Sequence, residues 1–210
     1  MSNRTKKVAA STAAAAALLA TQSQSTEALF GSVTSDPTTG VYLTANDEQW
    51  TVWAVALEDV TAWNVGWHVG NTYGNTDLDP VWTYPGGNDC LVQPVDLCIY
   101  DSVQPVSMNW YARTDCVGTI SGIDPGAVCS KVRIRFNLRV GPGFVPGVAN
   151  SSYNACHELG HSIGLQHPFD SATGGGLPTC MHGYGPPGGG GLSMTFIRET
   201  EKDEINAHYK

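Results

Sequence analysis

Three histidines and one glycine in the last third of the chain restrict its fold more than any other feature. His157 and His161 are four residues apart, and Gly164 lies midway between His161 and His167. Residues four apart lie one above the other on an α-helix, so this spacing predicts a helix that presents the first two imidazoles on one face. Because glycine accepts a positive φ, Gly164 is expected to end that helix in a sharp turn that returns His167 toward the other two.

The residue types at these positions indicate metal chemistry. Three neutral histidines with an open fourth position are typical of a catalytic zinc site, whereas a structural zinc is normally closed by four protein ligands. Glu158 projects about 100° around the helix from His157, where its carboxylate can reach a metal-bound water without being a ligand. We therefore predict His157, His161 and His167 as ligands of one Zn²⁺, and Glu158 as the general base and acid of a hydrolysis.

The extended motif H-E-x-x-H-x-x-G-x-x-H resembles that of the metzincin clan of zinc endopeptidases. The resemblance implies a methionine turn beneath the metal, for which Met181 is the expected residue and Met194 the weaker alternative. Pro168 is similar to the serralysin pattern and residues 204–209 are similar to matrixins, so the subfamily stays open. The resemblance also implies protein or peptide substrates, and an edge strand within 106–140 that binds extended substrate.

The resemblance implies an α+β fold with a single metzincin-like domain. Its expected parts are a twisted mixed β-sheet, a long first helix, the active-site helix, the Met-turn and a C-terminal helix. Apolar residues at helical spacing place the first helix at about 47–64, with Trp50 and Trp53 in the core. Ser151 or Ser152 is expected to cap the active-site helix, and the last helix is expected over about 200–209, with Thr200 and Asp203 as a weak capping box.

Strands are predicted at three places, with a further short candidate at 41–44. An apolar run covers 97–100, and apolar residues alternate over 106–112. The clearest alternation is 132–140, a half-buried strand with a solvated, arginine-rich outer face. Residues 70–96 and the glycine-rich segments 141–147 and 171–191 are expected to be loops.

The first 28 residues are expected to be a secretory signal peptide, which leaves 29–210 as the catalytic domain. Arg4, Lys6 and Lys7 precede an apolar, alanine-rich stretch and a small-residue region. The whole chain has a net charge of −8, and removal of three bases and one acid leaves −10. We expect an extracellular monomer with no nucleic-acid partner and, after signal cleavage, no membrane attachment.

The chain has six cysteines, an even number that suggests three disulfides in an exported protein. Six cysteines allow 15 pairings, among which the sequence alone does not choose. We expect nearest neighbours to pair: Cys90 with Cys98, Cys116 with Cys129, and Cys156 with Cys180. A cysteine-ligated zinc is the competing interpretation, and the chain has no C-x-x-C pair to favour it.

Two alternatives stay open at this stage. The first is a secreted zinc-binding protein of the same fold that binds or inhibits a partner without catalysis. Glu158 argues against it, since a pure binder needs no general base, whereas the lack of a recognisable latency segment favours it. The second is a Ca²⁺ ion held by Asp77, Asp79 and Asp89, although turn-forming aspartates are the expected explanation.

Overall fold

The computed structural model of the protein describes residues 49–83, 89–92, 94–105, 107–108, 110–118, 120–121, 128–139, 151–165, 167, 179–181 and 196–209. Several predictions lie outside these ranges: the signal peptide at 1–28, the strand at 41–44, the loop at 141–147, Pro168 and Met194. Most of the glycine-rich segment 171–191 lies outside them as well.

The described residues form a mixed α/β structure around one five-stranded sheet. The strand order is β2-β1-β3-β7-β4, with every neighbouring pair parallel except β7 and β4. A separate two-stranded pair consists of β5 and β6. The strands are β1 Gln49–Val55, β2 Asp79–Trp82, β3 Leu97–Ser102, β4 Ala112–Cys116, β5 Ile120–Ser121, β6 Val128–Cys129 and β7 Val132–Asn137.

Three α-helices accompany the sheet: α1 Asp59–His68, α2 Ser152–Ser162 and α3 Glu199–His208. A π-helical turn, Val69–Tyr73, continues α1, and a short 3₁₀ turn covers Cys90–Val92. Within the described residues, no helix is both long and apolar enough to cross a bilayer.

The prediction of one helix over 47–64 was wrong, because its first part forms the strand β1 and helix begins only at Asp59. Aromatic and β-branched residues dominate 50–55, and such residues favour strands. Both faces of β1 carry buried side chains, since Trp50 and Val52 lie in the main core and Trp53 packs with Cys90, Val95 and Cys98. Its apolar residues therefore mimic helical spacing instead of alternating. Trp50 and Trp53 are buried as expected, but from a strand, and Ala56 has a positive φ of 51° that separates β1 from α1.

Two further assignments need correction. Residues 70–96 are not one loop, since β2 and two helical turns lie within them. The strand predicted at 106–112 begins only at Ala112, and the described residues before it are irregular. Met108 and Trp110 therefore lie before the strand, and the Met108 side chain is exposed.

Four elements confirm the sequence analysis. β3, β7, α2 and α3 lie where they were predicted, with β7 ending at Asn137. Ile205 and Tyr209 are both buried, as expected for one face of the last helix. The capping box predicted at Thr200 and Asp203 was wrong. The N-cap is Arg198, and the Glu201 carboxylate accepts the Arg198 backbone N–H at 2.6 Å.

The core lies mainly between the sheet and the helices, with a smaller cluster apart from it. The smaller cluster contains Trp53, Cys90, Val95 and Cys98. All three expected disulfides are present, Cys90–Cys98, Cys116–Cys129 and Cys156–Cys180, and the described residues contain no free cysteine.

The arginines of β7 are ion-paired rather than simply solvated. Asp115 of β4 lies 2.6 Å from Arg113, 3.1 Å from Arg133 and 2.6 Å from Arg135. Burial opposes ionisation of the Asp115 carboxyl, but the hydrogen bonds and positive charges of the three guanidinium groups outweigh it and lower its pKa. These pairs join β4 to β7 on the face opposite Thr114.

Candidate metal centre

The helix that carries the first two histidines begins where the sequence predicts. Ser151 has extended dihedral angles, and its Oγ accepts the backbone N–H of Asn154 at 3.3 Å, which is the geometry of a helix N-cap. Nearly every residue of α2 is buried, so the helix runs through the core. Its two histidines are therefore fixed by packing on a rigid element.

Gly164 ends this helix with the positive φ and the sharp turn that the sequence predicts. Its φ is 102°, in the left-handed region that residues with a Cβ rarely adopt. The backbone N–H of Leu165 donates to the Gly160 carbonyl at 2.9 Å, which closes the last turn. The chain then reverses and brings His167 back beside α2.

The three predicted ligands meet at their Nε2 atoms. The distances His157–His161, His161–His167 and His157–His167 are each 3.0 Å between these atoms. His157 is buried, His161 is half-buried and His167 is exposed. The cluster could hold a metal ion, with its open side toward solvent at His167.

The hydrogen bonds of the rings show why a cation fits this site. His157 Nδ1 lies 2.6 Å from the Cys180 carbonyl oxygen, and His161 Nδ1 lies 2.8 Å from the Leu165 carbonyl oxygen. A carbonyl only accepts, so each Nδ1 carries the proton of its neutral ring and each Nε2 presents a lone pair. Two lone pairs 3.0 Å apart repel one another unless a cation lies between them.

The environment keeps His161 in the neutral form that a metal needs. Burial of the ring lowers its pKa well below the usual value, and protonation of His157 or His167 beside it would lower it further. A metal ligand must be deprotonated to bind. The site is therefore arranged so that a metal ion does not have to displace a proton from this ring.

Glu158 lies buried between the helix and the sheet. Its Oε2 accepts the Thr114 hydroxyl at 2.6 Å, and the same hydroxyl lies 3.0 Å from the Glu158 carbonyl oxygen. Burial raises the pKa of the Glu158 carboxyl to about 7, although the hydrogen bond from Thr114 acts in the opposite direction. A carboxyl group with such a pKa is suited to both accepting and releasing a proton near neutral pH.

Met181 lies against α2, one helical turn from the first histidine. It is fully buried, and a Cβ built on Gly160 would overlap its Sδ and come within 2.8 Å of the Tyr73 hydroxyl. The absence of a side chain at Gly160 is what lets this turn approach the helix. The structure thus places the predicted turn methionine next to the histidine-bearing helix.

Residues 179–181 are held by several contacts of different kinds. Cys180 donates its backbone N–H to the Phe196 carbonyl at 3.0 Å and forms the disulfide with Cys156. The Thr179 hydroxyl donates to the buried Glu201 carboxylate of α3 at 3.0 Å. The last helix, the turn and the histidine-bearing helix therefore form one connected unit.

Two features of this centre were missed from the sequence. Thr114 lies 44 positions from Glu158 in the chain, and the packing of α2 against β4 brings them together. Alternation offered a signal, since Thr114 lies between the charged Arg113 and Asp115 and so faces the other side of its strand. The Cys180 carbonyl is a backbone group, for which sequence carries no signal.

Other metal candidates receive no support from the parts of the chain described here. The one group of three ligand-bearing side chains within metal-binding distance in those parts is the histidine cluster. Asp77, Asp79 and Asp89 do not form such a group.

No protein-family model matches the chain, and no curated protein matches it significantly. Among solved structures, the chain is similar to the crystal structure of myroilysin at 10% sequence identity. That match covers 87% of this chain and 94% of the other, with a TM-score of 0.41. Values this low do not establish a shared activity.

Proposed function

We propose that the protein is a secreted zinc-dependent endopeptidase of metzincin type. The observation that carries the proposal is the convergence of three histidine Nε2 atoms, each 3.0 Å from the other two, beside a buried glutamate. Three histidines and an open position are the donor set of catalytic zinc sites. His157, His161 and His167 would hold the ion. When bound, the ion would polarise the substrate carbonyl as a Lewis acid and lower the pKa of the attacking water.

Side chains around the site would transfer the proton, orient the catalytic carboxylate and support the ligands. Glu158 accepts the proton of the attacking water and delivers it to the leaving amine. Thr114 holds one carboxylate oxygen of Glu158, which fixes the direction of the other. Gly164 and Met181 support the ligands, the first by its turn and the second by packing beneath α2.

β4 is the proposed binding edge for extended substrate. It is the end strand of the five-stranded sheet, and Thr114 at its centre contacts Glu158. A peptide that adds to this strand by backbone hydrogen bonds would pass close to the proposed catalytic carboxylate. Main-chain pairing of this kind suits substrates that are unfolded or extended segments of proteins.

The proposal is tested by following digestion of an unfolded protein such as casein. We expect digestion by the purified chain, its loss on addition of a chelator, and its recovery on addition of Zn²⁺. A chain that binds one equivalent of Zn²⁺ but cleaves no member of a broad peptide library would instead be the non-catalytic zinc-binding protein.

A further inference from the structure

The ligand His157 is oriented by a carbonyl group from a distant part of the chain. Its Nδ1 donates to the Cys180 carbonyl oxygen at 2.6 Å, and the two residues are 23 positions apart. A hydrogen bond of this kind fixes the tautomer and the direction of a metal-binding imidazole. The position of Cys180 therefore decides where the His157 Nε2 points.

Cys180 is covalently tied to the residue that precedes His157. The disulfide Cys156–Cys180 and the hydrogen bond from His157 to Cys180 together close a small ring of covalent and hydrogen bonds. Both cysteines are fully buried, and the Tyr73 hydroxyl donates to the Cys156 carbonyl at 2.6 Å. The same hydroxyl lies 3.8 Å from the Cys156 sulfur and 3.9 Å from the Cys180 sulfur.

We propose that the Cys156–Cys180 disulfide is a positioning device for the metal ligand His157. It holds the Cys180 carbonyl at the distance that the ring requires, and so it couples metal affinity to the redox state of this one bond. The inference rests on the metal site of the proposed function but does not depend on peptide hydrolysis.

Coupling of this kind acts in both directions. If the disulfide strengthens metal binding by some factor, bound metal must make the disulfide harder to reduce by the same factor. Loss of an outer partner of a metal ligand typically weakens metal binding about 10–100-fold. Bound metal should thus lower the equilibrium constant for reduction of the disulfide by about 10–100-fold.

The first experiment removes the disulfide without leaving thiols that could bind metal. Zn²⁺ affinity is measured by competition with a chromophoric chelator for the wild type and for the double variant Cys156→Ala with Cys180→Ala. The control is Cys90→Ala with Cys98→Ala, since that disulfide is equally buried but lies in the smaller cluster, away from the main core. We expect about 10–100-fold weaker binding for the first variant and wild-type affinity for the control.

The second experiment uses the unaltered chain, so it holds even if the first variant does not fold. The chain is equilibrated in a series of thiol–disulfide redox buffers with and without excess Zn²⁺, and the thiols present at equilibrium are alkylated and assigned by peptide mass. We expect Zn²⁺ to protect Cys156–Cys180 more strongly than Cys90–Cys98.

The contrary results are equally specific. Wild-type Zn²⁺ affinity in the folded Cys156→Ala, Cys180→Ala variant would overturn the proposal, because the contacts of the turn with Phe196 and Glu201 would then suffice. Equal protection of both disulfides would also overturn it, since that pattern reports general stabilisation of the fold. Neither readout involves hydrolysis. A chain without peptidase activity would therefore defeat the proposed function, whereas Zn²⁺ affinity and disulfide protection would still decide the inference about Cys156–Cys180.

Discussion

Glu158 is held in place by a hydroxyl from the sheet. The Thr114 Oγ1 donates to its Oε2 at 2.6 Å in a buried setting, where few other groups can replace that bond. A hydrogen bond to a charged group typically contributes about 1.5–3 kcal/mol, and 1.36 kcal/mol changes a rate tenfold. One buried hydroxyl can therefore have a large effect on the proposed reaction.

The first prediction removes that hydroxyl while keeping the shape of the side chain. Thr114→Val should lower kcat about 10–100-fold, with KM nearly unchanged, because Glu158 acts in the transition state and not in substrate binding. Thr114→Ser keeps the hydroxyl and should retain most of the wild-type kcat. Steady-state kinetics on a peptide, with Zn²⁺ content measured in parallel, checks this. Equal losses in the two variants would refute the positioning role.

The second prediction concerns the approach of Met181 to α2. Gly160→Ala should lower the free energy of unfolding by about 1–3 kcal/mol, since the new methyl group meets Met181 and the Tyr73 hydroxyl. Gly66→Ala is the matched control, because Gly66 lies within α1 and its added Cβ meets no atom within 4 Å. The control should be stabilised by up to about 1 kcal/mol. Chemical denaturation of both variants measures the difference, and equal stability of the two would contradict the packing described.

At the scale of elements, α1 is fastened to the start of α2 by a buried histidine. His68 is fully buried at the end of α1, with Nδ1 2.7 Å from the Thr72 hydroxyl and Nε2 2.8 Å from the Ser152 hydroxyl. Burial lowers the pKa of this ring to about 4, although a hydrogen bond with Ser152 acts in the opposite direction. The ring is therefore neutral in the folded protein at pH 7.

The third prediction follows from the sign of that shift. Between pH 6.5 and about 4 the unfolded chain binds the His68 proton and the folded chain does not, so stability falls as the pH is lowered through this range. The loss is up to about 3 kcal/mol. Comparing the free energy of unfolding at pH 7 and pH 4.5, at one fixed metal content, should show a smaller loss for His68→Gln than for the wild type. The same loss in both would contradict the assignment.

The elements also show which local patterns decide a structure. β7 was predictable because a strand with one covered face alternates strictly, as Val132, Ile134 and Phe136 do against their polar neighbours. β1 was not, because both of its faces carry buried side chains and its apolar residues follow no period of two. Sequence reasoning therefore failed at a strand that is buried on both faces, where packing rather than local periodicity decides.

At the scale of the whole molecule, the histidine cluster was predictable because its geometry is almost entirely local. One helix, one glycine turn and a separation of only six positions between His161 and His167 bring the three rings together. The disulfide pairing followed from sequence proximity. The contacts of Thr114 and of the Cys180 carbonyl depend on the sheet register and on the docking of the turn, which no local pattern specifies.

The most direct test of the central claim is hydrolysis by Glu158→Gln, measured together with bound Zn²⁺. The variant keeps the three histidines, so it should bind one Zn²⁺ per chain as the wild type does, while its rate of peptide hydrolysis falls about 10²–10⁴-fold. Undiminished hydrolysis with one bound Zn²⁺ would contradict the role given to Glu158 and the proposed mechanism with it.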